Sequence, residues 1–528
     1  MRYEIVVLMT TRLRYAVMFM VSLVQNDGVG VPRPKRASVI ADRQSLSEGY
    51  LERVIVYLKG KGLIKATRGP GGGYSLGMPP ERITLDLLLD SVGDQVKMVR
   101  CKGDEGGCIS SSEGRCNSHD LWEGMEKYMM HYLSNTTILD VSNNTLKKMG
   151  ACDEGYIYAD DNAISEVCPR VRQKLGNAVL FGNFYNPSAI YGLGQRSRRI
   201  VEDVRRLVVD VLDARGYEVV FTSSGTEANN LVFNSVKNRH IVSSVEHHSV
   251  MNAAVDPIFI PVTGDGVVSV DALEDILKSL GSESIGALVS VVYANNEVGV
   301  IQPIKELVEI AHRYGAVVHT DAVQACGKIP LSVLDIGADF VTISSHKIGG
   351  ITGAGALLYN KKKVSVVPML HGGMQEKGLR AGTENVLAIY SLSVALENLA
   401  VRIEKMASVS RVRDLLEARL KKLVPECVIF GEKVLRLPNT TCVSMPGVSN
   451  ETQLIGFDNK GIAVGVGSAC TSGKVTKSHV LAAMGVSDEC SKSAIRISFG
   501  PDANDAQANR IADCWYSIYS NFHVTMGS

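Results

Sequence analysis

Short apolar runs and amphipathic helical segments alternate along residues 218–358, and this pattern restricts the fold more than any other feature of the chain. A helix is predicted just before them at Ile200–Leu212, where apolar residues recur on one face. Strands that alternate with helices predict an α/β sheet with mostly parallel strands, and ligands of such sheets bind at the carboxyl ends of the strands. The predicted strands are Glu218–Phe221, His240–Val245, Ala287–Val292, Ala316–His319, Phe340–Ile343 and Ala354–Leu358.

Polar side chains follow five of these strands. Any one set is more often a helix cap or a turn than a ligand contact, but five sets at five strand ends are difficult to explain by chance. We therefore expect one site built from all of them. The sets are Gly225 with Thr226, Glu246 with His247, Asn295 with Asn296, Asp321 with Gln324, and Ser344 with His346 and Lys347.

The chemistry that suits this set is that of pyridoxal phosphate (PLP). Lys347 can form the internal Schiff base, and Asp321 can keep the pyridinium nitrogen protonated so that the ring accepts electrons. His247 can stack on the ring and move protons. Asn296 and Gln324 can hydrogen-bond to the 3-hydroxyl oxygen of the ring. The residues that can surround the phosphate are Gly225, Thr226, Ser344 and His346.

Two residues nearer the C-terminus add a nucleophile and a group that binds carboxylates. Cys470 lies among glycines and serines in Gly465–Gly473, where a thiol should be accessible and can act as a nucleophile. Arg496 lies on the alternating segment Ala494–Ser498, and its two parallel donors suit a substrate α-carboxylate. The plain alternatives are a bystander cysteine and a structural salt bridge.

These motifs closely resemble the cysteine desulfurases of the NifS/IscS type, in the class V aminotransferase family. The resemblance runs from about Tyr158 to the C-terminus and rests on the strings Ser-Gly-Thr-Glu-Ala-Asn-Asn, Asn-Asn-Glu-Val-Gly, Asp-Ala-Val-Gln, Ser-x-His-Lys, Arg-Ala-Gly-Thr-Glu-Asn and Gly-Ser-Ala-Cys. It implies the type I PLP-dependent transferase fold, with a large mixed sheet domain and a smaller C-terminal α+β domain. It also implies a homodimer in which Thr383 reaches the phosphate bound by the partner subunit.

The same resemblance implies the conversion of L-cysteine to L-alanine. Lys347, His247 and Cys470 would be the catalytic residues, and Arg496 would bind the substrate. The sulfur would remain as a persulfide on Cys470 and pass to an iron–sulfur scaffold protein.

Two strings depart from the family's pattern. The usual Asp-Asn-Ala-Ala-Thr-Thr reads Asp-Asp-Asn-Ala-Ile-Ser at residues 160–165. The changes at Ile164 and Ser165 would alter hydrogen bonds to the substrate. After Lys347, the usual Tyr/Phe-Gly-Pro-Lys-Gly reads Gly-Gly-Ile-Thr-Gly at 349–353, without the bulky side chain and the cation. We expect lower or partner-dependent activity from these changes.

Charge distinguishes the first part of the chain from the rest. The net charge is +1, but residues 1–80 hold 12 Lys and Arg against 5 Asp and Glu, so this part carries +7 and the remainder −6. Tyr50–Leu58 has the apolar face of a helix, and the Gly/Pro-rich turn Arg68–Tyr74 joins two short strands as a hairpin. A basic helical unit with such a hairpin predicts a winged helix-turn-helix that binds DNA.

A cysteine cluster follows the hairpin, with the spacing C-x6-C-x7-C-x2-H. Three thiolates and an imidazole suit either zinc or an iron–sulfur cluster, and the spacing alone does not choose between them. The string Arg68–Tyr74, this cluster and Leu121-Trp122 resemble the iron–sulfur-sensing repressors of the IscR type over about residues 10–135. That resemblance implies a DNA-binding dimer with a [2Fe-2S] cluster, although the cysteine intervals are slightly longer than usual. The ligands would be Cys101, Cys108, Cys116 and His119.

We thus expect a winged-helix regulator domain at 1–135, a Ser/Asn/Thr-rich linker at 136–155 and the PLP domain at 156–528. No apolar stretch reaches the roughly 18 residues of a membrane helix, and we find no convincing secretory signal. With an odd number of cysteines, 11, these features favour a reducing cytoplasm and no membrane association.

Two other functions stay open at this stage. One is a different class V enzyme, such as a selenocysteine lyase or an aminotransferase, although the Cys470 string argues against a transaminase. The other is a transcription regulator whose PLP domain mainly senses a ligand. The complete set of Lys347, Asp321, His247, Cys470 and Arg496 favours catalysis.

Overall fold

The computed structural model describes residues 11–24, 34–44, 46–69, 71–96, 119–143, 156–182, 184–467 and 477–526. The chain divides into two compact units, Met1–Glu154 and Gly155–Ser528. The helices and strands of the first unit are α1 (Thr11–Val24), α2 (Ala37–Gln44), α3 (Glu48–Gly60), β1 (Ile64–Thr67), β2 (Gly73–Leu76), α4 (Leu85–Ser91), α5 (His119–Ser134) and α6 (Ile138–Ser142).

The first unit has the predicted helix and hairpin. The apolar face of α3 is buried against α1, where Phe19 and Met20 are fully enclosed. β1 pairs with β2 in an antiparallel hairpin. Gly73 lets the chain before α2 approach this hairpin, because a Cβ at Gly73 would lie 2.5 Å from the carbonyl oxygen of Lys35. The unit therefore has the elements of a winged helix.

The first part of the predicted linker, residues 136–143, is folded within the first unit. Thr136 and Ile138 are buried, and their backbone groups bond to Leu85 and Ile83. Thr137 and Asp140 form a capping box at the start of α6, with Thr137 N donating to Asp140 Oδ2 at 2.9 Å. The Ser/Asn/Thr composition that suggested a linker here includes a helix cap, so the boundary expected at 135 is too early.

The second unit begins at β3 and contains all six predicted strands. Its elements are β3 (Ile157–Ala159), α7 (Pro169–Phe181), α8 (Gly192–Val211), β4 (Glu218–Thr222), α9 (Gly225–Ser235), β5 (His240–Ser243), α10 (His248–Met251), β6 (Ile258–Ile260), α11 (Val270–Leu280), β7 (Leu288–Ser290), α12 (Ile304–Arg313), β8 (Val317–Asp321), α13 (Val333–Ile336), β9 (Phe340–Ser344), β10 (Gly355–Tyr359), α14 (Val386–Glu397), α15 (Leu399–Leu423), β11 (Val428–Ile429), β12 (Thr440–Ser444), α16 (Asn450–Asp458), β13 (Ile462–Val464), α17 (His479–Ala483), α18 (Asp488–Lys492), β14 (Ala494–Ser498) and α19 (Asp505–Met526).

Seven strands form the central sheet, in the order β4-β10-β9-β8-β7-β5-β6. β10 is antiparallel to both of its neighbours, β4 and β9, and the other pairs are parallel. Because β4 and β9 both oppose β10, they run in the same direction. The carboxyl ends of β4, β5, β7, β8 and β9 therefore meet at one edge, and the prediction of a mixed α/β sheet is confirmed.

Helices cover both faces of this sheet. The larger core lies among α8, α11, α12 and α14, and a smaller core on the α9 side includes Leu231, Val232 and Phe233. The amphipathic pattern of α8 explains its position, since Val201, Val204 and Val208 are buried.

A smaller subdomain completes the second unit. β11, β12 and β14 form an antiparallel sheet, and β13 pairs in parallel with β3. α15, α16 and α19 pack on these strands, with Trp515 fully buried. Since β3 belongs to this subdomain, the residues after it start beside β14, where Asp160 bridges to Ser498.

Among the described residues, no single helix has the length and apolar character needed to cross a bilayer. α14 and α15 together have sufficient length and apolar composition, but the two helices are bent by 62° relative to each other.

Candidate active site

A cavity of about 370 Å³ lies at the carboxyl edge of the central sheet. Its wall includes residues from all five of the strand ends, together with residues from the smaller subdomain. A larger, more open groove of about 860 Å³ near Lys237 and Glu283 contains none of the predicted site residues. The predicted residues that line the 370 Å³ cavity are Gly225, Thr226, His247, Asn296, Asp321, Gln324, Ser344, His346, Lys347 and Arg496.

Lys347 ends a single 3₁₀ turn that directly follows β9. Its ammonium donates to the carbonyl oxygens of Asn162 at 2.6 Å and Ala163 at 2.5 Å. The carbonyl oxygen of Lys347 accepts a hydrogen bond from Ser165 Oγ at 2.9 Å. The divergent string 160–165 thus contacts both ends of the lysine, and Ser165 keeps a hydroxyl group where the usual pattern has a threonine.

Arg402 on α15 donates hydrogen bonds to two residues of the string 160–165. The sequence analysis did not identify this arginine. Its Nη2 donates to Ser165 Oγ at 2.8 Å and to Asp161 Oδ2 at 3.3 Å, and the charged side chains are buried. An isolated buried charge is costly, so this ion pair also holds the strand end of the smaller subdomain against the lysine turn.

Asp321 ends β8 and lies at the centre of a hydrogen-bonded chain. Its Oδ2 accepts from Asn229 Nδ2 at 2.7 Å, and its Oδ1 accepts from Val323 N at 3.0 Å. Asn229 also donates to Ser249 Oγ, which lies 2.7 Å from His247 Nδ1. Asn229 could have been found from sequence, because it lies one helical turn after Gly225 in the same motif.

Burial favours the neutral form of both histidines of the cavity. Burial lowers the pKa of His247, and the charges of Lys347 and two neighbouring histidines add to this while Asp321 opposes it. Burial and the nearby Lys347 lower the pKa of His346 to about 4. Because His247 Nδ1 accepts from the backbone N–H of Ser249 at 3.1 Å, the neutral ring carries its proton on Nε2.

The N-terminus of α9 offers an anion site beside this chain. The first N–H groups of a helix have no partner within the helix, and they attract phosphate. A Cβ at Gly225 would lie 2.9 Å from the Val323 side chain, so glycine allows the close approach. Ser344 lies beside Gly225, 3.7 Å from the same added Cβ, and its Oγ lies 3.0 Å from His346 Nδ1.

Arg496 extends from β14 into the cavity wall. Its Nη2 donates to Asp160 Oδ1 at 2.6 Å, and its Nη1 donates to the carbonyl oxygen of Asn296 at 3.0 Å. Its Nε is buried and has no hydrogen-bond partner among the described residues. The arginine therefore makes a structural ion pair at the cavity wall and has one buried N–H group that this pair does not satisfy.

Lys328 is a second buried amine in this region that the sequence did not identify. Its Nζ donates to Asn162 Oδ1 and to Gln324 Oε1, each at 2.5 Å. The side chain is almost completely enclosed, and burial lowers its pKa to about 7. Its position four residues after Gln324 is the signal that could have suggested the contact.

Several predicted residues fall elsewhere. Thr383 is exposed and does not line the cavity, although Arg380 of the same string pairs with Glu227 of α9 at 2.8 Å. His119 is the first residue of α5. The residues that lie outside the described part of the chain are Cys470, Cys101, Cys108 and Cys116.

Glu297 lies where the chain enters and leaves the segment 468–476. Ser478 Oγ donates to Glu297 Oε2 at 2.6 Å. A Cβ at Gly467 would lie 2.0 Å from the same oxygen. Both flanks of the segment that contains Cys470 are therefore packed on one buried carboxylate.

Two family models match the chain, one within each unit. The family model described as Aminotransferase class-V matches residues 157–511, and the Rrf2 model, described as Iron-dependent Transcriptional regulator, matches residues 9–144. "Cysteine desulfurase IscS" of Dictyoglomus turgidum is 37% identical over 359 residues, which are 65% of this chain and 89% of that protein. "Cysteine desulfurase" of Trichormus azollae is 38% identical over 371 residues, 68% of this chain and 91% of that protein.

A solved structure agrees with this assignment. The structure of a NifS-like protein from Rickettsia africae aligns with a TM-score of 0.63 at 36% identity, and it covers 69% of this chain and 99% of that chain.

Glu246, which precedes His247, should make the stability of this unit depend on pH. It is fully buried, its Oε2 has no partner among the described residues, and burial raises its pKa to about 8 from an ordinary 4.5. Between these pH values the folded protein binds more protons than the unfolded chain, so its free energy of unfolding falls as pH rises. Glu246→Gln should flatten this fall, as measured by urea unfolding of cofactor-free protein.

Glu306→Gln, an exposed position on α12, is the matched control and should leave the pH dependence unchanged. Parallel curves for the wild type and Glu246→Gln between pH 5 and 8 would contradict the assignment.

Proposed function

This chain belongs to the class-V aminotransferase family, and we propose that it is a PLP-dependent cysteine desulfurase joined to an iron–sulfur-responsive, DNA-binding regulator domain. The observation that carries the proposal is the meeting of Lys347, Asp321 and His247 in one cavity that also contains Arg496.

The cavity residues fit PLP. Bound there, the cofactor supplies a ring that withdraws electrons from the Cα of the substrate. Lys347 would hold it covalently, and the carboxylate of Asp321, ordered by two donors, would face its ring nitrogen. The close glycine at the start of α9 suits the phosphate. The phosphate would be held by Gly225, Thr226, Ser344 and His346, and the ring oxygen by Asn296 and Gln324.

Three residues of the cavity would bind the substrate carboxylate and move protons. Arg496 would bind the α-carboxylate through the hydrogens of Nη1 and Nη2 that its bonds to Asn296 and Asp160 leave unused. Lys347 Nζ, once released from its other contacts, would take the Cα proton. With its proton on Nε2, His247 would offer a hydrogen-bond donor to the ligand, and it would move protons between its neutral and imidazolium forms.

Cys470 would accept the sulfur. The substrate C–S bond breaks and an S–S bond to Cys470 forms, so L-alanine leaves and a persulfide remains. An iron–sulfur scaffold protein would then take this sulfur. A reducing cytoplasm, the compartment that we propose, keeps the Cys470 thiol available for the next turnover.

Cys470→Ser tests this role. The variant should bind PLP and change the cofactor's absorbance on addition of L-cysteine as the wild type does, because the cavity residues are intact. It should form neither persulfide nor alanine above about one hundredth of the wild-type rate, since a hydroxyl cannot accept sulfur.

Cys490→Ser, at a half-buried cysteine of α18, is the matched control and should keep full activity. Normal alanine production by Cys470→Ser would refute the assigned role.

A homodimer would complete each active site. Thr383 is exposed, and an apolar patch is exposed beside its segment, with Ile190 at 90% and Met374 at 80%. Gln375 reaches Ser188, so the two parts of this patch are adjacent. Such a patch is typical of a protein–protein interface. We expect Thr383 to contact the phosphate bound by the partner subunit.

Subunit mixing tests this arrangement. Thr383→Ala should weaken PLP binding about tenfold through loss of a charge-assisted hydrogen bond, and Lys347→Ala should abolish activity. After the two variants are unfolded and refolded together, about a quarter of the sites should regain tight binding and activity, because each mixed dimer has one intact site. Activity no higher than the sum of the separate variants would exclude the shared site.

The first unit would bind DNA and hold a [2Fe-2S] cluster on Cys101, Cys108, Cys116 and His119. Its helices and hairpin have the winged-helix arrangement, and the basic residues concentrated there suit a phosphate backbone. Zinc remains the alternative ligand for the same residues.

Protein purified without oxygen should absorb visible light in two separable components. Cys108→Ala should remove the cluster component and leave the PLP component, and it should change DNA affinity in an operator-binding assay. Cys490→Ala should change neither. Zinc in place of iron, by elemental analysis, would contradict the cluster.

A further inference from the structure

Lys328 lies behind Asn162 and Gln324, two residues that line the cavity, and its burial needs an explanation. Its side chain has 1% exposure, and the charged groups that act on it are Asp161, Lys347, Arg402 and Arg496. Three of these four are cations. A methionine would fill the same space without the desolvation that an amine undergoes, so packing alone does not account for a lysine at this position.

The hydrogen bonds of Lys328 determine the orientation of two amides. Lys328 Nζ donates to the amide oxygens of Asn162 and Gln324, each at 2.5 Å, and the amine has hydrogens for both bonds in its charged and its neutral form. The amide nitrogens then face away. Gln324 Nε2 donates to the carbonyl oxygen of Asn162 at 2.9 Å, and Asn162 Nδ2 donates to the carbonyl oxygen of Asn296 at 3.1 Å.

One atom, the carbonyl oxygen of Asn162, connects the oriented Gln324 amide to Lys347. The carbonyl oxygen of Asn162 accepts from both Gln324 Nε2 and Lys347 Nζ. Gln324 also lines the cavity, and its amide nitrogen has a second hydrogen that the bond to Asn162 does not use. With its oxygen committed to Lys328, Gln324 is left to act on a ligand as a donor.

We propose that Lys328 is a positioning residue that orients the amide of Gln324 as a hydrogen-bond donor to the ring oxygen of the cofactor. The inference rests on the proposed function, because it needs PLP in the cavity. Without Lys328, only the bond from Nε2 to the Asn162 carbonyl oxygen opposes a turn of the Gln324 amide, and the turned amide would present an oxygen to the ring oxygen.

A double-mutant cycle tests this with PLP as the probe. The variants are Lys328→Met, Gln324→Leu and the double variant, each as full-length protein. The readouts are the dissociation constant of PLP from reconstitution of the cofactor-free protein, and the pH midpoint of the absorbance change of bound PLP. Lys305→Met, an exposed lysine of α12, is the matched control.

We expect Lys328→Met to weaken PLP binding roughly fivefold to tenfold, as the loss of one oriented donor does, and to move the absorbance midpoint in the same direction as Gln324→Leu. In the Gln324→Leu background the same change should add less than about twofold, because the donor is already absent. Lys305→Met should match the wild type.

Additive effects in the cycle, or an unchanged absorbance midpoint in Lys328→Met, would overturn the proposal, since a merely structural lysine would lower only the thermal midpoint. If Lys328→Met does not fold, Lys328→Leu is judged by the same two criteria, because its side chain also has no hydrogen-bond donor. Failure of the proposed function is separate: the wild type would then bind no PLP at all.

Discussion

The direction of five strands is the constraint on which the rest of this structure depends. In the central sheet β10 runs opposite to the other six strands. The strands β4, β5, β7, β8 and β9 therefore all end at one edge of the sheet. Each strand end carries one short polar set, and no set is sufficient for chemistry by itself. The shared edge gathers an anion site, a buried carboxylate, a neutral imidazole and an amine around one cavity.

The second requirement is that the smaller subdomain closes this edge. β3 pairs with β13, and the chain that leaves β3 passes directly into the cavity wall. Asn162 is central here, because its backbone oxygen accepts from Lys347 and its side chain accepts from Lys328. Buried polar groups such as these lose about 1–3 kcal/mol each when a partner is removed, so the network also restricts the relative position of the sheet and the subdomain.

Local patterns predicted the secondary structure well wherever they were long. The α8 face and the six predicted strands are present, with ends that differ by a few residues. β6 was missed, because its three residues lie between Pro257 and Pro261 and resemble a turn region. Residues 136–143 were assigned to a linker, because capping residues and linker residues have the same composition until a buried neighbour such as Ile83 distinguishes them.

The sequence by itself determined the fold class, the cofactor chemistry and the ten described residues that meet in the cavity, because each lies in a motif whose local geometry follows from nearby residues. Only the tertiary structure decided which side chains orient them. Lys328 and Asn162 are 166 residues apart, and Asn229 and Asp321 are 92 apart. Hydrogen bonds across such distances depend on how the strands are ordered and on what the smaller subdomain covers. A local pattern can place Asn229 or Lys328 near the site, but it does not identify the distant partner.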